Sequence, residues 1–382
     1  MIDVLANAEA LAPEIEARAG EIESARRIPR DLSQKLARAG VYRMFAPESL
    51  GGLEVSPALA ARVFERLARA DASCGWVAFI GATSASMLAQ LPTDAARAIF
   101  ATPETMIAGV VRASGRADLV TGGFTVNGRW QWGSGSENAD WVFAGCELFE
   151  NGRPLTTRSG APRNHMLALR ARDIEFLDTW HVAGLRGTGS TDFAVHDLFV
   201  PQAHAVGFLV RDNLPRPLYQ FPLFPLLALG IGAVALGIAR AATDELITLA
   251  GGKVRSGSSN AIANRPHTQM QVATAQARLR SARAFLFEAF DAAWQTVLAG
   301  SPVSMDQRRD MRLAITHAVQ ASVEVVDAMY TLAGGTSVYA TSRLQRQFRD
   351  VHVITQHVMV APSTLETVGR LYLGVEANTS ML

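Results

Sequence analysis

The uncharged run at residues 221–239 (FPLFPLLALGIGAVALGIA) constrains this chain more than any other feature. Such a run is long enough to cross a bilayer as a helix. It also fits a helix buried on all sides in a bundle. Two features favour the bundle. Pro222 and Pro225 stand in its first five residues, where a loop enters a helix. The continuation IARAATDELITLA is amphipathic, so the helix runs on with a polar face.

A core helix needs apolar neighbours, and the composition supplies them. Of 382 residues 49% are hydrophobic and 19% charged, too apolar a chain for disorder. Lys and Arg total 36 against 35 Asp and Glu, a net charge of +1 that speaks against nucleic-acid binding. Two cysteines, Cys74 and Cys146, exclude a disulfide scaffold and a Cys-rich zinc site. The N-terminal stretch MIDVLANAEALAPEIEARAG has no basic and apolar leader pattern, so the expected location is the cytoplasm.

Residue texture divides the chain into three. Residues 1–102 read as an N-terminal helical domain, with apolar spacings of three and four in NAEALAPEIEARAGEIESAR and RDLSQKLARAGVYRMF. Ser56-Pro57 suits a cap and first turn. Residues 103–212 read as a central antiparallel β domain. Runs such as TMIAGVV, DWVFAGCEL and HMLALRA are separated there by Gly, Asn, Asp and Pro. From Asn213 a linker with Pro215 and Pro217 leads into a C-terminal four-helix bundle, residues 213–382. Gly300 and Gly334-Gly335 stand where helices should end. The fold class is α+β and multidomain.

Several chemistries are excluded. No G-x-G-x-x-G follows a strand, and no βαβ unit surrounds the glycines of GLRGTGS. A nucleophile elbow and an H-E-x-x-H motif are missing. The eight histidines do not cluster at metal-ligand spacing, so no metal is expected.

Three segments carry a signal: NGRWQWGSGSENADW (127–141), DTWHVAGLRGTGSTDFAVHDLFVP (178–201) and LAGGTSVYATSRLQRQFRDVHVITQHVMVAP (332–362). Alone, WQWGSG also fits an ordinary turn with packed tryptophans. His181 and His196 fit structural roles. Together with the α–β–α order, the three segments resemble the acyl-CoA dehydrogenase fold over nearly the whole chain. More narrowly, the chain resembles the oxygenase components of two-component flavin-dependent monooxygenases, of the 4-hydroxyphenylacetate 3-hydroxylase and indole oxygenase kind.

The resemblance implies a reduced flavin, FADH2 or FMNH2, delivered by a separate NAD(P)H–flavin reductase, with O2 as co-substrate. A C4a-hydroperoxide would hydroxylate a small aromatic or heteroaromatic substrate such as a phenol or an indole. By resemblance, Trp132, Ser134 and Gly135 lie beside the flavin ring, with Ser134 near N5. Trp180 walls the flavin, and Thr188 and Ser190 bond its phosphate or ribityl chain. Arg265 and Gln269 meet a flavin phosphate from an adjoining subunit, and Gly334-Gly335 belongs to the same family layout. Arg265 also fits a plain surface charge. A homotetramer is implied, with neither membrane nor nucleic acid as partner.

In dehydrogenases of this fold a glutamate base stands nine residues after the arginine of Arg349-Asp350. Here that position is Val358, and its neighbour is His357. The other family location for the base falls in residues 213–243, which hold no Asp or Glu. The missing base argues against acyl-CoA oxidation, the alternative activity. N- or S-oxygenation by the same fold is a further alternative. By resemblance His357 reaches the substrate, and an imidazole there can take the proton of a phenol or an indole N–H. Trp76, Ser84, Phe221 and Phe224, with Phe79, Met87 and Trp132, suit an aromatic pocket. The aromatics fit a plain core equally well. The histidine found after the Trp of this stretch in many relatives is absent from SCGWVAFIGATSASM (73–87).

Overall fold

The computed structural model describes residues 2–207, 216–254 and 260–382. Asn213, Pro215 and the boundary expected at 212/213 lie outside the described residues. Helices α1 (Val4–Ala17), α2 (Ala19–Ala25), α3 (Arg30–Arg38), α4 (Pro57–Ala70), α5 (Ala72–Ala85) and α6 (Thr93–Ile99) come first. Eight strands follow: β1 (Ile107–Val120), β2 (Gly123–Trp130), β3 (Trp141–Glu150), β4 (Arg153–Pro154), β5 (Asn164–Arg170), β6 (Glu175–Leu177), β7 (Asp192–Pro201) and β8 (Ala205–Gly207). The chain ends in α7 (Pro217–Gln220), α8 (Leu223–Gly252), α9 (Pro266–Leu298), α10 (Met305–Ala333), α11 (Arg343–Ile354) and α12 (Pro362–Tyr372).

Local chemistry sets many of these boundaries. The Asp3 side chain accepts from Ala6 N–H and starts α1. Ser56 does the same for Leu59 N–H, with Pro57 as the first helical residue of α4. Ser304 and Gln307 make a reciprocal capping box at α10. Gly334 (φ +57°) ends α10, and Gly300 (φ +73°) follows α9, as the C-cap reading expects.

Packing groups the chain into two compact units. One holds Met1–Val55, Val77–Val182 and Arg186–Gln220. The other holds Ser56–Trp76, Ala183–Leu185 and Phe221–Leu382. Helix α4 therefore packs with the bundle, although it lies in the N-terminal stretch of sequence.

In the first unit the strands run β6-β7-β2-β1-β3-β5-β8, with β4 on β3. The sheet is mostly antiparallel, as expected, with one pair that departs from it: β1 and β3 run in parallel. The reason is the connection. After β2 turns back on β1, residues 131–140 carry the chain across to the other edge of β1. Alternation of side chains is the same in either direction, so texture does not reveal it. Trp130 is buried in this sheet, donating from Nε1 to Gly145 O (2.7 Å) and stacking on Phe193 (5.2 Å).

In the second unit the apolar run forms the first half of α8. By length and composition α8 would cross a membrane, yet 78% of its most apolar window is buried inside the protein. It packs chiefly against α4, α10 and α11, and also against α9, as the bundle reading expects. At Gly237 two helices meet closely: a Cβ there would stand 2.4 Å from Glu65 O of α4. Gly232, one and a half turns earlier, has only ordinary neighbours, at 3.5 Å and beyond. Gly237→Val is thus expected to cost about 1–3 kcal/mol by overpacking. Gly232→Ala should be neutral, or stabilising by roughly 0.5–1 kcal/mol. Urea unfolding midpoints of both variants check this.

Candidate active site

In the unit with the sheet, the turn after β2 meets the turn before β7. Gly133 N–H donates to Thr191 O (3.0 Å) and Gly135 N–H to Thr188 O (2.8 Å). These bonds bring three buried hydroxyls into a row. Ser190 Oγ lies 2.6 Å from Ser134 Oγ and 2.6 Å from Thr188 Oγ1. Two residues after Ser134, Ser136 Oγ is buried with no hydrogen-bond partner. On the same turn Trp132 is 60% exposed and sits at φ +63°. A left-handed tryptophan is costly, and such strain gathers at ligand sites. Trp180 is half-buried, and its carbonyl accepts from Arg26 Nη1 (3.3 Å).

In the bundle unit His357 opens the 3-10 turn Val358–Val360, beyond the end of α11. It is therefore a turn residue, not one on a helix face. Its Nδ1 accepts from Met359 N–H (3.2 Å), and the Trp76 ring meets it edge-on at 5.7 Å. Arg312 of α10 is 2% exposed and donates from Nη2 to Met359 O (2.8 Å). Its Nε and Nη1 are buried without partners. Burial lowers the guanidinium to about 10, so it is still charged at neutral pH. Burial, reinforced by the Arg312 charge, pushes His357 down to about 4. Val358, where the resemblance would put a dehydrogenase base, is 65% exposed.

A second buried charge holds the segment Ala183–Leu185. Asp350 of α11 accepts from Leu185 N–H (2.6 Å), and Leu185 is left-handed at φ +51°. Arg349 bonds Ala183 O. Only glycine fits at 184, where a Cβ would lie 2.4 Å from Arg349 O. Burial pushes Asp350 up to about 7; the Leu185 N–H opposes this and the nearby Asp71 carboxylate adds to it.

The other expected site residues are placed as follows. Phe221 is buried in the core, stacked on Phe290 (5.9 Å) and beside Trp294 (6.1 Å). Phe224 is half-buried, and Ser84 is buried against Gly109. Arg265 caps α9, and Gln269 one turn on donates to Ala263 O (3.0 Å). Gly334 and Gly335 border a cavity of about 850 Å³ with Thr248, Lys253, Thr336 and Tyr339. Lys253 Nζ bonds Ala333 O and Thr336 Oγ1. Arg312, Asp350 and Ser136 were not expected from sequence. Arg312 did leave a trace: it stands at apolar spacing with Ile315 and Val319 in DMRLAITHAV.

Known proteins resemble this chain over nearly its whole length. Residues 6–103 match the acyl-CoA dehydrogenase N-terminal domain, and residues 229–362 match its C-terminal domain. The crystal structure of 3-HSA hydroxylase from Rhodococcus sp. RHA1 superposes with a TM-score of 0.92 at 27% identity, covering 100% of this chain and 99% of that one. The fold is thus that of the acyl-CoA dehydrogenases. An indole-3-acetate monooxygenase of Pseudomonas putida is 39% identical over 94% of this chain and 90% of its own. One from Acinetobacter baumannii is 33% identical over 98% and 95%. The chain belongs to the flavin-dependent monooxygenases of the acyl-CoA dehydrogenase fold.

The Asp350 latch gives a pH prediction. Its folded value near 7 stands above the ordinary carboxyl value of about 3.9. The folded state therefore holds the extra proton, and stability falls as pH rises through that window. Asp350→Asn keeps an acceptor for Leu185 but cannot ionise. At pH near 8 it should be more stable than wild type by roughly 1–4 kcal/mol, with the gap closing toward pH 4. Asp350→Ala, which loses the acceptor, should be less stable than Asp350→Asn at either pH. Urea unfolding across pH measures both.

Proposed function

We propose that this chain is the oxygenase component of a two-component monooxygenase that hydroxylates an indole or a related aromatic acid. A separate reductase supplies its reduced flavin. The observation that carries this reading is the turn at 357–360. There His357 meets Trp76, and by resemblance Val358 stands where a dehydrogenase would carry its glutamate. The two indole-3-acetate monooxygenases similar to this chain support the substrate class.

The residues present fit a flavin. A row of three hydroxyls, an orphaned Ser136 Oγ and an exposed Trp132 on one turn suit a flat ring with a polar edge. When bound, reduced flavin supplies the two electrons that split O2, one oxygen going to the substrate and the other to water. Ser134, Thr188 and Ser190 would bond the flavin's polar edge, with Gly135 allowing close approach. Trp132 and Trp180 would exclude water from its face. Arg265, Gln269, Gly334 and Gly335 would serve its phosphate end in an adjoining subunit. Trp76 and His357 would contact the substrate.

The bundle unit exposes Met270, Leu298, Val338, Tyr339, Tyr372 and Leu373. These exposed apolar side chains are compatible with self-association, and the homotetramer implied by the resemblance would scatter light as four times 41.0 kDa. The cytoplasm is the location proposed.

The test couples the protein to a flavin reductase and NADH and follows O2, product and hydrogen peroxide. Indole-3-acetate should yield a hydroxylated product with most of the O2 accounted for. Dye reduction by an acyl-CoA without any reductase would overturn the reading. So would full recovery of O2 as peroxide with every indole and phenol tried. Ser134→Ala should raise the peroxide fraction several-fold while leaving substrate affinity within about threefold.

A further inference from the structure

We propose that His357 meets the substrate as a neutral hydrogen-bond donor through Nε2, binding an anionic oxygen, and that it is not the general base. The inference deepens the function proposed above and rests on it for the identity of the substrate.

The argument begins at Nδ1. This nitrogen accepts from Met359 N–H at 3.2 Å, so it carries a lone pair and no proton. A neutral imidazole has one N–H, which must then sit on Nε2. A nitrogen that already carries a proton cannot take another. Uptake at Nδ1 instead would set N–H against the Met359 N–H.

The Met359 peptide is held from its other end as well. Arg312 Nη2 donates to Met359 O at 2.8 Å and to Thr364 Oγ1 at 3.4 Å. The peptide that fixes the tautomer is itself fixed by a buried cation. The same cation acts on the ring. Among the described residues Arg312 makes no ion pair, and after burial its charge is the second influence that disfavours an imidazolium at His357. Trp76 brings no charge to the ring.

The consequence concerns what can dock. Nε2–H needs an acceptor, and an indole N–H in that place would set donor against donor. The field of Arg312 favours an anion. A carboxylate on an aromatic ring satisfies both demands; a phenolate oxygen has the same chemistry from a different source.

Two measurements test this. The first is nitrogen NMR of isotopically labelled histidine in the wild-type protein, with the His357 signal assigned from His357→Gln. The expected spectrum is the Nε2–H tautomer, unchanged from about pH 5.5 to about pH 8. An Nδ1–H tautomer, or titration within that range, overturns the proposal. This readout is independent of any activity, so it can fail while the oxygenase reading stands.

The second measures affinity with reduced flavin under anaerobic conditions. His357→Ala should weaken indole-3-acetate by about 10- to 100-fold and neutral indole by less than about threefold. His357→Gln, which still offers an N–H, should recover most of the loss, whereas His357→Glu should not. Equal losses for indole and indole-3-acetate, or better rescue by Glu than by Gln, overturn it. A larger loss for a carboxylate-free phenol than for indole-3-acetate transfers the contact to the phenolate and overturns the carboxylate assignment.

Discussion

An uncharged helical stretch must be surrounded on every side, and this single demand organises the bundle. Helix α8 has no polar face over its first half, so α9, α10 and α11 alone do not enclose it. The chain recruits α4 from its N-terminal stretch to close the remaining side. Gly237 lets the two helix backbones approach at Glu65. Trp76, which follows α4 within the same unit, is brought to His357 as a result. One contact of the candidate site is therefore a by-product of burying α8.

Two ionisable groups in this unit are buried at a cost and spent on backbone. Arg312 donates to a carbonyl in the turn after His357, and Asp350 accepts from an N–H in the segment Ala183–Leu185. Both stretches lie outside regular helix or strand, where backbone groups lack built-in partners. Burial drives both groups toward their neutral forms, Arg312 downward and Asp350 upward. A neutral residue of the same reach would burden the core less. Holding irregular backbone in place is the use that fits both positions.

Much of this architecture was legible in the sequence, and the exceptions have physical causes. Helix periodicity, Ser56-Pro57 and the glycines at 300 and 334 are local signals, and local signals set helix boundaries. The parallel pairing of β1 with β3 depends on a connection that crosses the sheet, which no alternation records. The row of Ser134, Ser190 and Thr188 joins residues 56 positions apart, and only the resemblance had brought them together. Arg312 and Asp350 escaped because their meaning lies in the backbone atoms they touch. Position 357 was legible as a candidate, but the state of its ring was not. That state depends on the N–H of residue 359, which every sequence but a prolyl one would supply.

By resemblance, Val358 stands where dehydrogenases of this fold carry a glutamate, and that exchange has a consequence for charge at this turn. A glutamate at 358 would bring a negative charge to the turn held by Arg312. Val358 brings none, and the neighbouring imidazole is held neutral. The buried cation is then uncompensated by the protein's described residues, a state that burial makes expensive. An incoming anion relieves it. A dehydrogenase of this fold supplies its own anion to draw a proton from the substrate. On the contact proposed for His357 the balance is reversed, and the substrate would bring the negative charge.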